Sequence, residues 1–285
     1  MPDEARLFVP HIPDSGGQQP RVPGQLSRFD RWWLLFLAVC GLVAVLVIFV
    51  PDPYRDIFVF LQDGVIVTIK ITLVSFFFIL IVGMIGGLGR VSSNRFVSGV
   101  ASLYVEVVRG IPVLVWLLWI WFALPQLLQS LGRTVSSFAP QVGQYLSNIK
   151  LEPFTAAIIG FTFAYGAYMT EVFRAGIQSI PKGQMEAARS LGMNYLQAMR
   201  YIILPQAVRV ILPPVSNEFV TLLKDSSLVS ILAVSDLTRR GREYVARTFL
   251  SFDTFTMVAL IYLILTLFFT RVSTAMERRM NLEKR

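Results

Sequence analysis

Six stretches of this chain are too apolar to rest in water, and they fix the class of fold before any motif is read. They are Trp32–Val50, Ile71–Gly89, Gly110–Gly132, Pro153–Thr170, Val210–Leu232 and Thr254–Thr270. Five contain no Asp, Glu, Lys or Arg; Val210–Leu232 carries Glu218, Lys224 and Asp225. A bilayer core of ~30 Å takes ~20 helical residues at ~1.5 Å each. Each stretch therefore reads as one crossing. The second helix is expected to begin near Gly64. The third is expected to begin near Val97, so that it carries Glu106 and Arg109. The predicted architecture is an all-α polytopic membrane bundle of about six helices.

Composition agrees. Hydrophobic residues make up 54% of the 285, charged residues 15%, and mean hydropathy is +0.60. Soluble domains carry ~25% charge, which keeps their surface in water. An ordinary soluble enzyme is thus excluded. Cys40 is the only cysteine, so a disulfide scaffold is out, and His11 is the only histidine, so a multi-histidine metal site is out. The net charge of +8 falls in short clusters between apolar runs, a pattern of membrane orientation rather than nucleic-acid binding. With both termini cytoplasmic, sixteen Lys and Arg lie inside and seven outside. The outer cluster Arg239–Arg247 runs against the bias and reads as an interfacial or gate segment.

Residues 1–31 are proline-rich and poor in apolar content, and read as a disordered cytoplasmic tail. Residues 32–50 follow as an uncleaved anchor, since the apolar run exceeds a signal-peptide core and no small-x-small site follows. Leu37-Ala38-Val39-Cys40 faintly resembles a lipoprotein signal, but Val39 is too large at the cleavage position. Residues 272–285 read as a basic cytoplasmic tail. Gly83, Gly86 and Gly87, and again Gly160, Ala164 and Ala167, offer small faces on which helices can approach. Pro112 should bend or delay the third helix, and Pro213-Pro214 should fix the start of the fifth.

The stretch at about 178–209 is too long for a tight connection and polar enough to lie outside the membrane. Met185–Leu191 can form two helical turns, with Met185, Ala188 and Leu191 on one side, and Gly192 ends them. Tyr195–Leu204 repeats the pattern with Leu196, Met199 and Ile203, and Pro205 then starts a new direction. Such a helix pair either docks in a partner's cleft or lies on lipid.

At this point the residues resemble a known family. Glu186-Ala187-Ala188, Gly192, Ile202 and Leu204-Pro205 look like the signature loop of permease subunits of binding-protein-dependent ABC importers. Gln184 lies just ahead, in Ile180-Pro181-Lys182-Gly183-Gln184. Arg109–Leu114, Ala167–Gly176, Leu204–Ala207, Pro213-Pro214, Asn217 and Leu223–Leu228 resemble the polar amino acid branch. The likeness covers about Gly64–Arg271. The chain departs from the family's usual five-helix core in everything before Asp52.

The resemblance implies a transport subunit in a bacterial inner membrane rather than an enzyme. No Gly-x-x-x-x-Gly-Lys-Ser/Thr occurs, so no P-loop cradles ATP on this chain. No cofactor is expected on it; ATP and Mg would sit on a separate ABC ATPase dimer docked on the 184–205 loop. A second permease, identical or related, would enclose the path, and a periplasmic binding protein would deliver the amino acid.

Charges inside a membrane are costly and point to a lined cavity or to pairing. Glu171 and Arg174 form either a local ion pair or, through Glu171, a contact for a substrate ammonium. Asn217 and Glu218 line a cavity or bond a neighbouring helix. Lys224, Asp225 and Ser226 form an unwound gate or site, unless Lys224 merely snorkels. Glu106 and Arg109 read as a structural pair. A secondary transporter would need no ATPase. A membrane enzyme would need a nucleophile, base or metal constellation that this sequence does not offer.

Overall fold

The computed structural model describes residues 31–282, and within them every regular element is helical. Residues 1–30, with His11, and residues 283–285 lie outside the described residues. The helices are α1 (Arg31–Phe49), α2 (Pro51–Val91), α3 (Arg95–Arg109), α4 (Val113–Leu118), α5 (Leu124–Val135) and α6 (Pro140–Ser147). They continue with α7 (Pro153–Gln178), α8 (Lys182–Ser190), α9 (Tyr195–Ala198), α10 (Leu204–Asp225), α11 (Leu237–Thr248) and α12 (Ser251–Leu282). Short π-helical turns join α4 to α5 and α9 to α10, and a 3₁₀ segment, Ser226–Leu232, follows α10. Among the described residues four helices are long and apolar enough to cross a membrane: Pro51–Val91, Val113–Val135, Pro153–Gln178 and Ser251–Glu277. Trp33–Phe49 is a shorter apolar helix.

Several expectations need correction. The second helix spans Pro51–Val91, with a kink at Asp52 (φ −100°, ψ 115°), so it starts well before Gly64; prolines in a first turn cost no hydrogen bond. Gly64 has another use: a Cβ there would lie 2.8 Å from the Leu237 Cα, so its absence lets α11 approach α2. The third crossing is not continuous from Val97. α3 ends at Arg109, and Pro112 is extended at ψ 141° before α4 resumes. Proline disfavours the helical conformation in its predecessor and has no N–H to donate, which accounts for the break. Pro213 and Pro214 lie inside α10 rather than at its start. Pro205 does not redirect the chain; the π turn at Met199–Ile203 absorbs its missing donor and the backbone stays helical. The fifth stretch is α-helical only to Asp225.

The centre of the bundle is the α2–α7 pair. A Cβ on Gly83 would strike Met169, one on Gly86 would strike Thr170, and one on Gly87 would strike Phe173. The expected small face is therefore the contact itself, and it matters because lipid gives helices no hydrophobic reason to associate. Gly160 meets Leu117 in the same way, and Ala164 and Ala167 are fully buried. Ile71, Ile79, Phe161, Met169, Leu222 and Val229 join α2, α7, α10 and the 3₁₀ segment in one core.

The basic cluster at 239–247 forms α11, at the end of the bundle away from α8. Its charges are largely paired. Arg240 bonds Asp63 at 3.1 Å and Glu243 at 3.2 Å, and Arg239 bonds Glu243 at 3.0 Å. Arg240 and Arg247 also stack on the Phe60 ring, at 5.3 and 5.2 Å. This pairing accounts for a cluster that the charge bias alone does not explain. Asp236 caps α11 by accepting from the Thr238 and Arg239 amides, and it accepts from the Tyr262 hydroxyl as well. Asp236 is fully buried, and burial pushes its carboxyl above the ordinary carboxylate range.

Candidate functional site

The polar loop folds as predicted in outline, a short helix, a turn and a second helix. Gly192 ends α8 at φ 82°, a conformation that side chains resist. Asn194 and Gln197 exchange side-chain and backbone hydrogen bonds in a capping box that starts α9. α8 turns Ala188 inward and leaves Gln184, Glu186 and Ala187 exposed. Leu191 and Leu196, expected to share faces with Ala188 and Ile203, are 81% and 76% exposed while those two residues are buried. They stand outward because the Gly192 turn rotates the chain between the two helices. Ile202 is half-buried, while Leu204 and Pro205 are exposed. Glu186 and the outward leucines therefore present an exposed surface that is both charged and apolar. The loop is also tied to the bundle. The Gln206 amide donates to Gln184 at 3.4 Å and to the Ile202 carbonyl at 2.9 Å, linking α8 to α10.

α10 enters the bundle from this loop and carries the polar residues singled out in the sequence. Successive helical positions differ by about 100°, so Asn217 and Glu218 face different neighbours. Asn217, Thr221 and Lys224 line a cleft of about 350 Å³ against Thr270, Ser273, Thr274 and Glu277 of α12. Glu218 and Asp225 turn toward α7. Asp225 accepts a 2.6 Å hydrogen bond from the Tyr165 hydroxyl, and Glu218 lies within electrostatic reach of Arg109 and Asp225. Ser226 does not line a cavity; it is fully buried and donates to the Leu223 carbonyl at 2.7 Å.

Glu171 pairs closely with Arg174 and lies 3.6 Å from Arg90 of α2. The ion-pair alternative is therefore the one the geometry adopts, with a second arginine that sequence spacing did not reveal. Arg109 makes no ion pair with Glu106 among the described residues; its guanidinium stacks over Tyr168 at 5.2 Å. Arg90, Tyr165 and Tyr168 were not singled out in the sequence. A tyrosine deep in an apolar run, whose hydroxyl must find a partner, was the available signal. The polar residues thus form two sets on α10, with Glu171 and its arginines as a third group. Among the described residues no group of three His, Cys, Asp or Glu could hold a metal ion.

The α3–α4 break beside Arg109 and the end of α10 at Asp225 are two interruptions of helix within the bundle. Interrupted helices leave backbone groups free to meet a passing solute, as in transporters. The two α10 faces together offer hydroxyls, an amide and charges of both signs, groups that can hydrogen-bond a small zwitterion.

Comparison with known proteins is consistent with this reading. Residues 79–282 match the family model described as "Binding-protein-dependent transport system inner membrane component". The glutamine transport system permease protein GlnP of Escherichia coli strain K12 is 33% identical over 222 residues, 78% of this chain and 93% of GlnP. The L-cystine transport system permease protein TcyB of Bacillus subtilis strain 168 is 36% identical over 225 residues, 78% of this chain and 86% of TcyB. A solved amino acid ABC transporter with histidines superposes with a TM-score of 0.67 at 35% identity, covering 81% of this chain and 97% of that one. The MetNI methionine ABC transporter, in an inward-facing form, shares the fold at a TM-score of 0.61 and 21% identity, over 78% of this chain and 96% of that one.

Proposed function

The chain belongs to the family of binding-protein-dependent transport system inner membrane components, and on that footing we propose that it is the permease of an ATP-driven amino acid importer. A separate ATPase dimer hydrolyses ATP with Mg. It docks on α8, with Glu186, Ala187 and the exposed Leu191 as the contact face. The observation that carries this reading is the exposed face of α8, beside which Gln206 of α10 lies 3.4 Å from Gln184. Closure of the ATPase would push α8, and α10 would transmit the push to its two polar faces. A periplasmic binding protein would supply the amino acid from the other side. A second permease, identical or related, would cover the exposed charges Arg109 and Lys224, which lipid would not tolerate.

In this reading the chain crosses a bacterial inner membrane six times with both termini inside. α1 is the added first crossing, and the core spans residues 64–271. α10 is the fifth crossing, polar because it lines the path. Glu218, Asn217, Lys224 and Asp225 are the path residues that remain; Ser226 and Glu171 act through packing and pairing.

The test is uptake by the complete transporter in proteoliposomes, with labelled L-glutamine, L-arginine and L-cystine as probes. Uptake of one of these that requires binding protein and ATP is expected. Uptake driven by an ion gradient without ATP would overturn the assignment.

A further inference from the structure

A cavity of about 1040 Å³ opens beneath α8, between the end of α2, the end of α7 and the second helix of the loop. Its walls are mostly apolar, with Val91, Ile180, Met185 and Met199 among them, and Lys182 and Arg189 stand at its rim. Neither cation has an ion-pair partner within 4 Å among the described residues. The groove therefore suits a short apolar segment flanked by negative charge.

This chain carries such a segment. Residues 1–30 precede α1, and their densest apolar cluster is Leu7-Phe8-Val9-Pro10-His11-Ile12. Asp3, Glu4 and Asp14 flank it, against a single Arg6. Pro10 and Pro13 oppose helix and favour an extended strand of chain, the shape a groove accepts. The segment begins on the correct face. α1 crosses the bundle one way and α2 crosses back, so Arg31 lies at the end where α2 finishes beside the groove. Packing of Phe36 against Phe268, in the second half of α12, agrees. Eighteen residues separate Ile12 from Arg31, and an extended chain of that length reaches about 60 Å.

We propose that Leu7–Ile12 seats in the groove beneath α8 and holds the coupling helix at rest. The inference rests on α8 being the ATPase contact. Met185 and Arg189 belong to both α8 and the groove, so an occupied groove resists tilting of α8. Release of the segment would then accompany stimulation by loaded binding protein. The device belongs to the part of the chain outside the matched family region.

The experiment uses the whole transporter with Cys40→Ser in this chain. Phe8→Cys is combined with Ser93→Cys at the groove, or with Glu277→Cys as a control outside it. Disulfide formation with position 93 and not with 277 is expected. In the same membranes, Leu7→Asp with Phe8→Asp, or deletion of residues 2–16, should raise ATP hydrolysis without binding protein by about fivefold or more. Uptake with saturating loaded binding protein should stay at the wild-type level. Absence of the 8–93 crosslink, capture of the ATPase by Ser93→Cys, or a crosslink without any change in basal hydrolysis would each overturn the proposal. Failure of ATP-dependent uptake in the unaltered transporter would instead overturn the function on which it rests.

Discussion

The Tyr165 hydroxyl donates a 2.6 Å hydrogen bond to the Asp225 carboxylate, joining α7 to the last residue of α10. The pair holds α10 at the point where its helix gives way to the 3₁₀ segment. Tyr165 is a core residue, so its hydroxyl is sheltered from water. Removing the hydroxyl leaves a carboxylate without its donor. Tyr165→Phe should cost about 2 kcal/mol, the range for hydrogen bonds to charged groups. Asp225→Asn, which keeps an acceptor oxygen, should cost less. Thermal unfolding of the purified complex measures both, and an equal or larger loss in Asp225→Asn would contradict the account.

The close approach of α2 and α7 gives a second expectation. Gly83→Val and Gly86→Val would drive side chains into Met169 and Thr170, with an overpacking cost of about 1–3 kcal/mol or more. Membrane yield and detergent stability should fall. Gly41→Ala in α1 meets open space and should change neither. A stable Gly86→Val protein would show that this packing does not hold the bundle.

Coupling through α8 separates from folding. Glu186→Ala should weaken ATPase binding by about tenfold, equivalent to about 1.4 kcal/mol, with the fold kept because Glu186 is exposed. Gln206→Leu should leave ATPase binding intact but lower uptake per ATP hydrolysed, since it cuts the link from α8 to α10. Co-purification and the uptake-to-hydrolysis ratio distinguish the two. Unchanged transport in Glu186→Ala would remove Glu186 from the contact face.

Asp236 supplies a pH signature. Its carboxyl is raised by burial, so the native state holds a proton that the unfolded chain releases at ordinary carboxylate pH. This part of stability is present below the unfolded value and is lost as pH rises toward the raised native value. Asp236→Asn, which keeps an oxygen for the α11 cap, should flatten that dependence. Melting temperatures of wild type and variant, taken from mildly acidic to neutral pH, should converge at the acidic end. Parallel curves would show that Asp236 does not titrate in this way.

The arrangement of the α10 polar residues was only half legible in the sequence. Polar residues within α10 stood out because lipid excludes them. Their separation into an α12 face at Asn217 and Lys224 and an α7 face at Glu218 and Asp225 did not. That division depends on helical rotation and on which neighbour stands at each angle. Arg109 read as a partner of Glu106, since spacing reports only contacts along one helix. The tyrosine that actually receives it comes from α7.

Sequence by itself determined the membrane bundle, the polar loop, its Gly192 turn and the small faces on α2 and α7. Each follows from a local property: apolar run length, a demand for positive φ, or the need for close approach without hydrophobic drive. Tertiary structure alone decided where helices break and which charges meet. Proline illustrates the difference. Pro112 interrupts a helix, whereas Pro205, Pro213 and Pro214 remain within one. The residue is the same, but a π turn and neighbouring helices accommodate the lost hydrogen bonds in α10, and nothing in the local sequence records that support.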